Sequence, residues 1–293
     1  MIGSPDVGAV LAWSAGRRDE LPWRRTRDPW AVLVSELMLQ QTQVARVVPR
    51  WHQFLERFPS VAVCAAAPVG DVVSEWAGLG YNRRAVNLHR AAVLVVDRHR
   101  GVIPDGLEEL LALPGLGPYT ARAVMAFAFE RDVAVVDTNV GRILARQRGE
   151  RLSVKAAQEF ADEVLPIGSG WSWNQGMLDL GALICSKRSP RCSECPTAST
   201  CRWFVSGAYD PDPAIGSAGA SKGQSRFDGS FRQGRARLLD VLRTGVEVPP
   251  EKFRSACGWV ERDGGELDAQ RAADSLVRDG LAIRTCDGSL ALP

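Results

Sequence analysis

Between Trp30 and Trp203 apolar residues recur at three- and four-residue spacing, the period of helices that each bury one face. Val44, Val47, Val48, Trp51, Phe54, Leu55 and Phe58 draw one such stripe; Arg83 to Arg98 and Tyr119 to Phe129 draw two more. Short Pro/Gly breaks at Ala67-Pro68, Gly78-Leu79-Gly80 and Pro114-Gly115-Leu116-Gly117 separate the helices. Only Val133 to Val136 looks strand-like, and it is too short to seed a sheet.

The pattern then changes. Val205 to Arg226 is rich in Gly, Ser, Ala and Pro, a composition that cannot bury a core and predicts a flexible linker. Beyond it, Arg235 to Arg243 and Asp268 to Arg278 are helical in period, with a short helix expected near Pro250 to Ala256. Leu281 to Leu292 alternates and turns at Asp287-Gly288, which predicts a hairpin. Three helices and a hairpin resemble a winged helix. The expected organisation is an all-α domain over residues 1–204, a linker over 205–226 and a small winged-helix-like α+β domain over 227–293.

Length and composition narrow the classes. At 293 residues and 45% hydrophobic, the chain can bury the cores of about two domains. No run of apolar residues is long enough to span a membrane, and Met1 to Gly16 lacks the pattern of a secretory signal. A cytoplasmic protein, nucleoid-associated in a bacterium, is expected. The net charge of +2 does not itself point to nucleic acid, since binding depends on a local basic face. Cys64, Cys257 and Cys286 are scattered, whereas Cys185, Cys192, Cys195 and Cys201 fall in one short stretch. In an intracellular protein such clustering points to metal rather than disulfides.

Three segments carry candidate chemistry. In Leu110 to Arg122, Pro114 ends one helix, Gly115 and Gly117 open the backbone, and Pro118 suits the first turn of the next helix. Such a turn leaves free N–H groups where a phosphate can sit, although an ordinary helix corner has the same residues. Asp137 follows the apolar lead-in Val133 to Val136 and precedes a helix, so it can cap that helix, act on a substrate, or do both. Glu36 has Val32, Leu33 and Leu39 among its helical neighbours. Such a glutamate either pairs with an arginine, for which Arg24 and Arg25 are near in sequence, or is kept protonated by its surroundings and can donate a proton.

The order of hairpin, lead-in and aspartate resembles the helix-hairpin-helix DNA glycosylases. Leu21-Pro22-Trp23-Arg24, followed by Ser35-Glu36-Leu37-Met38-Leu39-Gln40-Gln41-Thr42-Gln43-Val44, resembles within them the MutY-type adenine glycosylases, over roughly Pro22 to Phe204. The resemblance implies that Glu36 protonates adenine and that Asp137 stabilises the cationic sugar left when the base departs. It implies that Gln41 enters the duplex, that Tyr81 of Gly78-Leu79-Gly80-Tyr81 wedges beside the flipped base, and that Gly115 and Gly117 grip the backbone. Where bifunctional relatives carry a Schiff-base lysine this chain has Tyr119, expected to bear on Asp137 by hydrogen bonding. The expected enzyme is therefore a monofunctional hydrolase. Gly141 stands where some relatives carry a lysine able to trap abasic product.

The spacing Cys185-x6-Cys192-x2-Cys195-x5-Cys201 suits a four-thiolate site for zinc or iron–sulfur, and resembles the [4Fe–4S] loop of endonuclease III and MutY. Lys187, Arg188 and Arg191 between the first two cysteines would then face DNA phosphates. The expected partner is double-stranded DNA containing a mispair, bound by a monomer. Two other functions stay open: a thymine glycosylase for T:G mispairs, and a catalytically silent, cluster-bearing DNA-binding protein. No Nudix-like domain is found in Phe227 to Pro293.

Overall fold

The protein, described here by a computed structural model over residues 3–17, 19–218, 226–260 and 265–293, is mostly helical. In chain order the helices begin α1 Val7–Ser14, α2 Pro29–Leu39, α3 Val44–Arg57, α4 Val61–Ala66, α5 Val69–Glu75 and α6 Arg83–His99. They continue with α7 Leu107–Leu111, α8 Pro118–Ala128, α9 Thr138–Arg148, α10 Val154–Val164, α11 Gly170–Leu183 and α12 Arg202–Val205. The C-terminal part adds α13 Phe231–Leu242, α14 Phe253–Ala256, α15 Gly265–Arg278 and strands β1 Ile283–Arg284 and β2 Leu290–Ala291. The stripes over α3, α6 and α8 sit where the periodicity puts them, and Val133 to Val136 forms no strand.

The chain divides into two compact units, neither continuous in sequence. The first comprises Met1–Val32, Asp105–Leu111 and Leu116–Gly223. Its core gathers Val10, Val140, Leu144, Phe160, Trp173 and Leu180 from α1, α9, α10 and α11. Within it, part of the span expected as a linker is fastened down. Asp212 pairs with Arg146 at 2.6 Å, the Tyr209 hydroxyl donates to the Gly149 carbonyl, and Ala218 N donates to Leu152 O at 2.8 Å. These are polar ties rather than apolar burial, which is why the composition gives no sign of them. Residues 219–225 of the expected linker lie outside the described residues.

The second unit comprises Leu33–Pro104, Ala112–Gly115 and Gln224–Pro293. Trp76, Phe54, Leu88 and Val72 are among its fully buried side chains. In its C-terminal part β1 and β2 pair antiparallel, Ile283 opposite Ala291 and Arg284 opposite Leu290, through a turn in which Gly288 takes φ +86°. Val248 bridges Leu290 on the other side. One helix, an isolated bridge, two helices and a hairpin follow one another in this part.

Helix α2 is the most deeply buried of these elements. Every residue from Trp30 to Met38 is buried, so the helix has no polar face at all, the mark of a central core helix. Ser35 and Glu36 are its only polar side chains within that run.

Candidate functional site

Glu36 is 6% exposed on α2, one of few charged groups inside either unit. Two turns of the same unit depart from ordinary backbone. Gln41, just past the end of α2, has φ +56°, and Tyr81 has φ +46°. The left-handed region costs a side-chain-bearing residue about 1 kcal/mol, and such strain persists only where surrounding bonds enforce it. Both side chains are exposed, Tyr81 at 44%.

Arg84 is what enforces it. Its Nη1 donates to the carbonyls of Leu37, Met38 and Gln40 at 2.6, 2.8 and 2.7 Å. Its Nη2 donates to Thr42 Oγ1, Leu79 O and Gly80 O at 3.0, 3.2 and 3.0 Å. The last carbonyls of a helix have no partner within it, and one guanidinium here caps α2 while also holding the Gly78–Tyr81 turn. Burial lowers the Arg84 pKa to about 10, still well above neutrality. Sequence reasoning missed Arg84, because its partners are backbone carbonyls. The residues it positions, Gln41 and Tyr81, are those singled out from the sequence. Gly115 of the hairpin belongs to the same unit; at φ +85° a Cβ there would meet the Asn87 side chain of α6 at 2.7 Å, so glycine is required.

In the first unit Gly117 precedes α8 as its N-cap and Tyr119 is half-buried in the first turn. Asp137 caps α9: Oδ1 accepts from Asn139 N and Val140 N at 2.8 and 2.7 Å, and Oδ2 accepts from Asn139 Nδ2 at 3.0 Å. Burial raises the Asp137 pKa, outweighing the bonds from Val140 and Asn139 and the charge of Arg142. Asn139 in turn accepts from Arg142 Nη2 at 2.9 Å, and Arg142 donates to Gly181 O and Cys185 O, both at 2.6 Å. A continuous chain of polar contacts thus runs from Asp137 to the first cysteine of the stretch.

All four cysteines, Cys185, Cys192, Cys195 and Cys201, line one cavity of about 20 Å³. Arg146 donates to Cys185 Sγ at 3.2 Å and to Ser186 O at 2.8 Å. Burial pushes the Cys195 and Cys201 thiols up to about 11. Among the described residues no group of three or more His, Cys, Asp or Glu is gathered to hold a single metal ion. Four thiols around a shared apolar cavity, with an arginine donor at one sulfur, are a donor set suited to a thiolate-bound metal or iron–sulfur group. Lys187, Arg188 and Arg191 are exposed on the intervening loop; Arg191 also pairs with Glu194 at 2.9 Å, which reduces its free charge.

Residues 34–166 match the HhH-GPD superfamily of base excision DNA repair proteins. An adenine DNA glycosylase of Mycolicibacterium smegmatis is 40% identical over 97% of this chain and 94% of its own. The human adenine DNA glycosylase is 34% identical over 94% of this chain and 55% of its own. Among solved structures, a thermostable thymine-DNA glycosylase superposes with a TM-score of 0.64 at 30% identity, covering 68% of this chain and 95% of that one.

Proposed function

The chain belongs to the adenine DNA glycosylases of the HhH-GPD superfamily, and on that premise we propose that it hydrolyses the N-glycosidic bond of adenine mispaired with 8-oxoguanine or guanine. The observation that carries this reading is Glu36, a carboxyl 6% exposed on a helix whose other faces are core. Desolvation favours the neutral acid, which can hand its proton to a ring nitrogen of an extruded adenine. The protonated base leaves with the bonding electron pair. Asp137, already desolvated and fixed by three donors, is suited to stabilise the positive charge left on the sugar. Water adds at the sugar carbon and loses a proton, which leaves an abasic site. With Tyr119 in place of a Schiff-base lysine, the strand stays intact.

Duplex DNA containing a mispair is the partner. Gly115, Gly117, Lys187, Arg188 and Arg191 hold its phosphates, while Gln41 and Tyr81 hold the extruded geometry. Cys185, Cys192, Cys195 and Cys201 would hold a [4Fe–4S] cluster, which when bound supplies a rigid, cross-linked loop. Arg146 and Arg142 fasten the start of that loop to α9.

A panel of duplexes carrying A:8-oxoguanine, A:G and T:G tests the reading with the wild-type protein. Alkali-labile sites should form opposite 8-oxoguanine and guanine and not at T:G. Cleavage at T:G alone would assign the chain to thymine removal, and binding without product on any mispair would leave a silent DNA-binding protein.

A further inference from the structure

The C-terminal part of the chain reaches the turn that bears Tyr81, and does so through one buried arginine. Arg243 ends α13, and its side chain is only 10% exposed. Its Nε and Nη2 donate to Val73 O at 3.2 and 3.0 Å, and Nη2 also donates to Asn82 Oδ1 at 2.8 Å. Asp240 steadies the remaining nitrogen at 2.7 Å. Val73 lies in the last turn of α5, so its carbonyl is one that the helix itself leaves unpaired.

Asn82 is the side chain that this contact engages. It precedes α6 with helical backbone angles, φ −58° and ψ −20°, rather than the extended angles from which an N-cap side chain reaches the first helical N–H groups. Here it makes no such cap. Its oxygen is turned to Arg243. The side chain is thereby committed to α13. The neighbouring residue is tied as well, since Arg83 lies 3.8 Å from Asp279, which also pairs with Arg235 of α13. Asn82, which follows Tyr81, is therefore held by α13, while Arg84 holds the residues that precede it.

We propose that Arg243 is a positioning residue for the Tyr81 turn, acting through Asn82, so that residues 227–293 contribute to base extrusion by bracing the wedge. The inference rests on the adenine-excision reading for its substrate, but the bracing itself can be observed without DNA. Tyr81 carries its strained backbone angle on a turn clamped from two sides by arginines, and a wedge transmits force only if its base does not yield.

The test compares Asn82→Ala, Arg243→Ala, their double variant and Arg243→Lys with wild type in four measurements. These are amide hydrogen exchange over residues 78–82 without DNA, fluorescence of 2-aminopurine placed beside the mispaired adenine, single-turnover adenine release, and duplex Kd. Faster exchange over 78–82 is expected, with extrusion and release each reduced about tenfold, the scale of one lost hydrogen bond to a charged donor. The double variant should be no worse than Arg243→Ala, because the two residues act as one contact. Lysine keeps the charge but cannot bridge both acceptors, so it should stay impaired. Asn82→Ala removes a single contact and guards against simple misfolding. Unchanged exchange and extrusion in Asn82→Ala and Arg243→Ala would overturn the proposal, as would loss confined to melting temperature or duplex affinity. Absence of adenine release by wild type, with altered exchange in the variants, would instead overturn the substrate assignment alone.

Discussion

Arg24 and Asp179 form a buried two-point ion pair, Nη1 to Oδ2 at 2.8 Å and Nη2 to Oδ1 at 2.7 Å, with side chains 6% and 1% exposed. The pair locks the Leu21-Pro22-Trp23-Arg24 segment to α11. Its geometry is planar and matched, which is what a guanidinium and a carboxylate need to offset the cost of leaving water.

Removing one partner strands the other charge in the core. Asp179→Asn and Arg24→Met should each lower stability by about 3–5 kcal/mol. Changing both together should cost clearly less than the sum. Urea denaturation of the three variants measures this.

Arg84 supports a second prediction. Arg84→Lys leaves several carbonyls of the α2 end and the Tyr81 turn without a donor, a loss of about 2–4 kcal/mol. The same variant should release adenine more slowly in single turnover, because Gln41 and Tyr81 lose their common anchor. Full wild-type release at reduced stability would separate Arg84 from the wedge.

Asp137 predicts a trade of stability for activity. Its pKa is raised in the fold, chiefly by burial. A carboxyl raised above its unfolded value, about 3.9, stabilises the fold fully only below that value, and the contribution is lost as pH rises through the folded pKa. At neutral pH the ionised group is therefore a net cost. Asp137→Asn keeps an oxygen for the N–H groups of Asn139 and Val140, so it should melt no lower than wild type at pH 7. The difference should close as pH falls toward 4. Adenine release should drop by about 100-fold or more. Melting curves and single-turnover rates across pH 4–8 check both halves, and wild-type release should itself decline toward acid as Asp137 takes up a proton.

Gly141 is fixed by packing. A Cβ there would stand 2.7 Å from the Ala218 carbonyl, backbone that cannot swing aside. Gly141→Ala should therefore lower stability by about 1–3 kcal/mol and open residues 209–218 to limited proteolysis. Equal protease resistance in variant and wild type would contradict the account of that segment as fastened to α9.

What could be read from the sequence followed periodicity and local chemistry. Helices α3, α6 and α8 have one wet face and announce themselves; α2 has none, yet its lone Glu36 among apolar neighbours drew attention for the same reason. Asp137 was visible through the order of hairpin, apolar lead-in and aspartate, since alone it reads equally as a helix cap. The arginines that organise the site were not visible. Arg84 and Arg243 bind carbonyls of Leu37, Gly80 and Val73, and a side-chain pattern carries no record of which backbone oxygens are left over. Asn139 and Arg142, at helical i, i+3 spacing, gave a local signal that could have found their contact. Residues 209–218 read as linker because they cannot form an apolar core, whereas Asp212, Tyr209 and Ser217 secure them by hydrogen bonds.

The central claim concerns the proton that Glu36 gives to adenine. Single-turnover release from an A:8-oxoguanine duplex, measured for wild type and Glu36→Gln beside their duplex Kd values, tests it most directly. The account predicts that the glutamine variant binds the duplex nearly as wild type does and releases no measurable adenine. Adenine release by Glu36→Gln at a rate comparable to wild type would contradict it.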